Sequence, residues 1–135
     1  MVALVNTVAA LYVQKNGVYF GLDGVDPWGE ERDARTYDGP HPVVAHPPCK
    51  RWINLAFANF ARYGGEHNRP GNDGGCFAAS LNAVRQFGGV LEHPASSHAW
   101  GRYGLLRPYG EGWCYQPDTS FRAGRGGYHV CEVWQ

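Results

Sequence analysis

Two short stretches carry the residues best suited to chemistry, VVAHPPCKRW at 43–52 and VLEHP at 90–94. Cys49 is a thiol that attacks electrophilic carbon once ionised, and Lys50 and Arg51 beside it favour the thiolate. Pro47 and Pro48 fix φ, so the loop is stiff enough to meet a substrate atom at a set angle. Glu92 ends the second stretch. A carboxylate closing an apolar strand needs a partner, and it can hold a proton for a ligand ring. His46 and His93 flank the two loops, and either can act as a base or a hydrogen-bond donor. Each residue also has a plainer reading that the sequence leaves open. Cys49 suits a small residue in a proline-rich turn, Glu92 an ion pair or loop cap, and the histidines a structural role.

Apolar spacing predicts the elements that position these residues. ALYVQKNGVYFGL at 10–22 reads as an N-terminal β-hairpin, with Asn16-Gly17 in a type I′ turn. DPWGEERDARTY at 26–37 reads as a helix capped by Asp26, with Pro27 at its first position. Val43 to His46 forms a short strand between prolines. Residues 50–63 read as a helix ending at Gly64, with Trp52, Leu55, Ala56, Phe60 and Tyr63 on one face. A second helix follows at 76–87, presenting Phe77, Leu81, Val84 and Phe87, capped by Asp73 and stopped by Gly88. VLEHP is a second buried strand. SHAWGRYGL reads as a short helix, and GWCYQ and YHVCEVW as strands around a PDTSFRAGRGG loop. Cys114 and Cys131 are expected across from each other on those strands, buried rather than bridged.

This order predicts one α/β domain over 1–135 with a mostly parallel sheet and an irregular β C-terminal part. Parallel sheets gather ligands at the carboxyl ends of their strands, and both chemical loops leave such ends. Cys49 and Glu92 are therefore expected on one edge.

Composition narrows the function classes. Formal net charge is zero, with 12 basic and 12 acidic residues, so no global positive field holds nucleic acid. The charges are uneven, however: acids cluster early, and Arg102, Arg107, Arg122 and Arg125 fall late, which allows a local basic face. No run approaches the ~18 apolar residues of a membrane span. The four cysteines form no CxxC and no export signal is visible, so reduced thiols in a cytoplasm are expected. No metal is expected. Zinc nucleoside deaminases need Pro-Cys-x-x-Cys, and Trp52 stands where the second cysteine would be. A scattered set of His46, Cys49 and His93 stays open. GRYG and RAGRGG could bind phosphate by backbone and guanidinium, but the ordinary surface-loop reading is slightly favoured.

PPC after one strand and LEHP after the next resemble the loops of the cytosine-C5 DNA methyltransferase family. The stretch from GVDPW to LEHP looks like small phage-encoded relatives of that family. The resemblance implies a small Rossmann-like, reduced methyltransferase-like fold. It implies Cys49 as the nucleophile on a flipped cytosine and Glu92 as the residue that contacts its edge. His46, Pro48, Arg51, Trp52, His93, Trp100, Arg122 and Arg125 would then contact substrate, with Trp52 or Trp100 stacked on the base. His93 and Pro94 replace the family's asparagine and valine. S-adenosylmethionine is the implied cofactor, but the glycines of FGLDGVD are wrongly spaced for the family's donor loop. Only 48 residues precede Cys49, fewer than the family's cofactor half needs. The expectation is a reduced or inactive relative in the cytoplasm of an infected or lysogenic bacterial host, binding a nucleic acid or nucleotide. The alternative is a non-enzymatic phage binding protein that holds a nucleotide or a host or phage protein in the same cleft.

Overall fold

The computed structural model describes residues 6–107, 113–116 and 128–131. Its six strands are β1 Val8–Leu11, β2 Val25–Trp28, β3 Val43–Ala45, β4 Gly89–Glu92, β5 Trp113–Gln116 and β6 Tyr128–Cys131. They form one sheet in the order β2-β1-β3-β4-β6-β5. All neighbours are parallel except β5 and β6. The helices are α1 Asn54–Tyr63, α2 Cys76–Phe87 and α3 Ala99–Arg102. This is a small α/β arrangement with a mostly parallel sheet, as its strand and helix order implied.

The core follows from the apolar patterns. Ala9, Ala10 and Leu11 of β1 are wholly buried, as a continuous apolar run in a central parallel strand should be. Helix α2 packs on β3 and β4. Phe77, Leu81 and Val84 are its buried face, joined by Ser80 and Ala83. Phe77 is the centre of an aromatic cluster, with Trp52, His93, Trp100 and Tyr103 at ring-centroid distances of 5.0 to 6.0 Å. Truncation of such a ring to alanine typically costs about 3–5 kcal/mol. Asp73 caps α2 as expected, accepting from the Phe77 and Gly75 N–H groups.

The N-terminal hairpin does not form. β1 pairs with β2 in parallel, Val8 beside Val25 and Leu11 beside Trp28, and residues 12–24 are a connection of turns. Asn16 takes a positive φ of 58° but Gly17 does not, and the Gly17 N–H donates to the Gln14 carbonyl at 2.9 Å, so the turn is centred on Lys15 and Asn16 and is not the expected type I′ turn at Asn16-Gly17. That turn reverses only the connection, because β1 finds its other partner in β3. Val18, which a hairpin strand would have engaged, is 80% exposed. The helix expected at 26–37 is also absent. Val25–Trp28 is the edge strand, where Pro27 loses no ladder bond it needs. Asp33, not Asp26, caps a single 3-10 turn at Ala34–Thr36.

Helix α1 begins later than expected, at Asn54, with residues 50–53 in a turn. Only Ala56 of its predicted inner face is wholly buried, and Leu55 and Tyr63 are exposed. The C-terminal strands lie where expected, but Cys114 stands opposite Val130 and Cys131 opposite Trp113, so the cysteines are not cross-strand partners. No helix among the described residues is long and apolar enough to cross a membrane.

β2 lies on one side of β1 and β3 on the other, so the strand order reverses between β1 and β3. In open parallel sheets such a reversal opens a crevice beyond the carboxyl ends.

Candidate functional site

Register builds the site. Ala45 of β3 lies beside Leu91 of β4, so the next residues in each strand direction, His46 and Glu92, emerge side by side. His46 Nδ1 lies 2.8 Å from Glu92 Oε2. The His46 N–H donates to the Leu11 carbonyl at 3.0 Å, which ties the loop start to β1. His46, Pro47, Pro48 and Cys49 line a cleft of about 190 Å³ together with Glu92, His93 and Pro94. The two loops singled out from the sequence thus wall one cavity. Whole-ligand pockets start near ~300 Å³. This one is smaller, and Pro47, Pro48 and Pro94 are rigid apolar parts of its wall.

The His46–Glu92 contact continues outward. Tyr19 Oη lies 2.9 Å from His46 Nε2, so both ring nitrogens are engaged. Burial holds the His46 pKa below its ordinary value, outweighing the opposite pull of Glu92. Tyr19 escaped the sequence reading because it belonged to the hairpin that does not form. No spacing along the chain links it to residue 46.

Cys49 is a partly buried free thiol. Its carbonyl accepts from the Trp52 N–H at 2.8 Å, closing a turn. Because α1 starts at Asn54, the thiol is not at a helix N-terminus. His93 is 2% exposed, packed edge-on against Phe77 and Trp100. Its Nε2 lies 3.4 Å from the Pro48 carbonyl, and Nδ1 is buried without a partner among the described residues. Desolvation pushes its pKa down to about 4, so the ring is neutral near pH 7.

The stacking aromatics expected from the resemblance lie elsewhere. Trp100 is wholly buried, and its indole N–H donates to the Pro94 carbonyl at 2.8 Å, which ties the loop after β4 to the core. Trp52 is 5% exposed and donates to Asp73 Oδ2 at 2.8 Å. Both indoles are core, because a large apolar surface gains more from burial than from waiting for a ligand. Arg51 is half-buried in the turn beside the cleft, and its carbonyl accepts from Gly71. Arg122 and Arg125 lie outside the described residues. Among the described residues no group of three or more His, Cys, Asp or Glu is placed to hold a metal, and His46, Cys49 and His93 are not such a group.

A second, larger hollow of about 960 Å³ lies beyond β1 and β2 and shares Pro48 with the cleft. Tyr12, Trp28, Glu30 and Arg35 are among its walls. Tyr12 follows β1 directly with φ of 60°, a conformation that costs energy in a bulky residue and recurs at functional sites.

No protein family, no curated protein and no solved structure matches this chain.

Proposed function

We propose that the chain holds a nucleobase, in a nucleic acid strand or a nucleotide, in the cleft between the Cys49 and Glu92 loops. In this reading it is a reduced, phage-type relative of the cytosine-C5 DNA methyltransferases, acting in a bacterial cytoplasm. The observation that carries it is the convergence of Cys49, His46 and Glu92 in one small, proline-walled cavity at the ends of adjacent parallel strands. Cys49 would add to an electrophilic ring carbon as the thiolate, its sulfur electron pair forming the new bond while the ring pair shifts toward a ring nitrogen that takes its proton from water, and Glu92 would anchor the base by accepting from its amino edge. S-adenosylmethionine would need the larger hollow. Tyr12, not a glycine loop, follows β1 there. The residues present do not fit the family's donor loop, and no step is routed through a donor.

A second reading is a non-enzymatic binding module with a nucleotide or a host protein as ligand. The position of Cys49 in a turn, away from the α1 N-terminus, favours it. One experiment separates the two: thermal melts of wild type and Cys49→Ser with nucleotides, short DNA and S-adenosylmethionine, alongside iodoacetamide alkylation rates. A ligand bound only by the native state raises the melting temperature by mass action. The enzymatic reading expects Cys49 to react faster than free cysteine near neutral pH. The binding reading expects an ordinary thiol and a ligand shift that survives Cys49→Ser. An ordinary thiol with no ligand shift sinks both.

A further inference from the structure

The cleft carboxylate does not stand alone, and three chain segments distant in sequence meet at it. Tyr19 comes from the β1–β2 connection, His46 from the end of β3 and Glu92 from the end of β4. The distances, 2.9 Å from Tyr19 Oη to His46 Nε2 and 2.8 Å from His46 Nδ1 to Glu92 Oε2, are those of good hydrogen bonds. We propose that Tyr19 and His46 are positioning residues for Glu92, which hold one imidazole tautomer and thereby present the carboxylate as a fixed acceptor to the ligand.

The proton assignment follows from donor and acceptor inventory. An ionised carboxylate only accepts, so His46 Nδ1 carries a hydrogen and donates to Glu92. A neutral imidazole has one ring hydrogen, so Nε2 is bare and accepts from the Tyr19 hydroxyl. The lowered His46 pKa agrees with a neutral ring. The other titratable groups of the cleft wall are Cys49 and His93. Neither ring nitrogen of His46 is directed to Cys49 in this arrangement, since Glu92 and Tyr19 take both. His46 is therefore not the base for the thiol. It serves the carboxylate. A carboxylate held as an acceptor selects a ring edge that presents N–H, such as the amino group of cytosine. The choice of ligand rests on the nucleobase reading above, but the tautomer does not.

The test is nitrogen-15 NMR of the histidine rings in the ligand-free full chain at pH 7.5, on wild type and Tyr19→Phe. The expected wild-type His46 spectrum has Nδ1 protonated and Nε2 bare. In Tyr19→Phe, protonated Nε2 should gain population, and dCMP should bind about fivefold more weakly, the scale of one hydrogen bond. A Tyr19 that merely filled space would lower the melting temperature and leave the proton on Nδ1. A wild-type ring protonated on Nε2, or on both nitrogens, overturns the proposal, as does an unchanged tautomer in Tyr19→Phe. The wild-type spectrum decides even if the variant fails to fold. If dCMP does not bind wild type, the nucleobase reading fails while the tautomer still decides the relay.

Discussion

Asp73 shows how one side chain ties the site to the core. Its Oδ2 accepts from the Trp52 indole at 2.8 Å and from the Phe77 N–H at 2.9 Å, and its Oδ1 accepts from the Gly75 N–H. It therefore caps α2 and also anchors the turn that follows Cys49. Asp73→Ala should cost about 3 kcal/mol, a cap plus a buried indole N–H left unpaired, as read by urea denaturation. Asp73→Asn keeps an acceptor and should lose less than half of that. The capping role is visible in the sequence, because an aspartate before an amphipathic run is a local signal. The bond to Trp52 is not, since it spans 21 positions. Cys49, Glu92, His46 and His93 were likewise legible as candidates by type and by place after strands. Trp100 was misplaced, because nothing in its local sequence distinguishes a core indole from a stacking one.

Among the elements, β3, β4 and α2 were legible because each carries its period within a short window and is stopped by glycine or proline. β1 and β2 were not. An Asn-Gly turn is a local signal, while the parallel partners of β1 are chosen by burial on both sides. Gly89 shows what such pairing demands. It opens β4 with φ of 126°, and a Cβ there would stand 1.9 Å from the Val43 carbonyl oxygen. Gly89→Ala must shift β4 away from β3, and should cost at least about 3 kcal/mol from strain and the lost approach. Because the same pairing sets His46 beside Glu92, the variant should also lose the Nδ1-protonated His46 signal. A stable Gly89→Ala with an unaltered His46 spectrum would show that this register does not build the site.

Across the whole molecule, buried histidines make stability depend on pH. The His93 pKa falls from 6.5 to about 4 on folding, so between those values the unfolded chain binds more protons than the native one. Stability contributed by the neutral ring is present above pH 6.5 and is lost as pH falls toward 4, by on the order of 3 kcal/mol. His46, also lowered, adds a loss of the same sign. Asp26, Asp33 and Glu66 are held below their ordinary values by Arg32, Arg35 and Arg69, so their loss comes at lower pH. Urea midpoints at pH 7 and pH 4.5 should therefore differ in wild type, and the difference should shrink in His93→Leu. An equal pH slope in that variant would mean that His93 titrates normally in the native state.

By itself, the sequence determined the α/β class, the helix α2, the strands β3 and β4, and the two loops whose residues can do chemistry. Each of these is written in spacing over a few turns or one strand. Tertiary structure alone decided that Ala45 and Leu91 share a register, so that His46 meets Glu92. It also brought Tyr19 from the β1–β2 connection to the His46 ring and withdrew Trp52 and Trp100 into the core. Those outcomes depend on which distant surfaces bury one another, and no local window of the chain contains that competition.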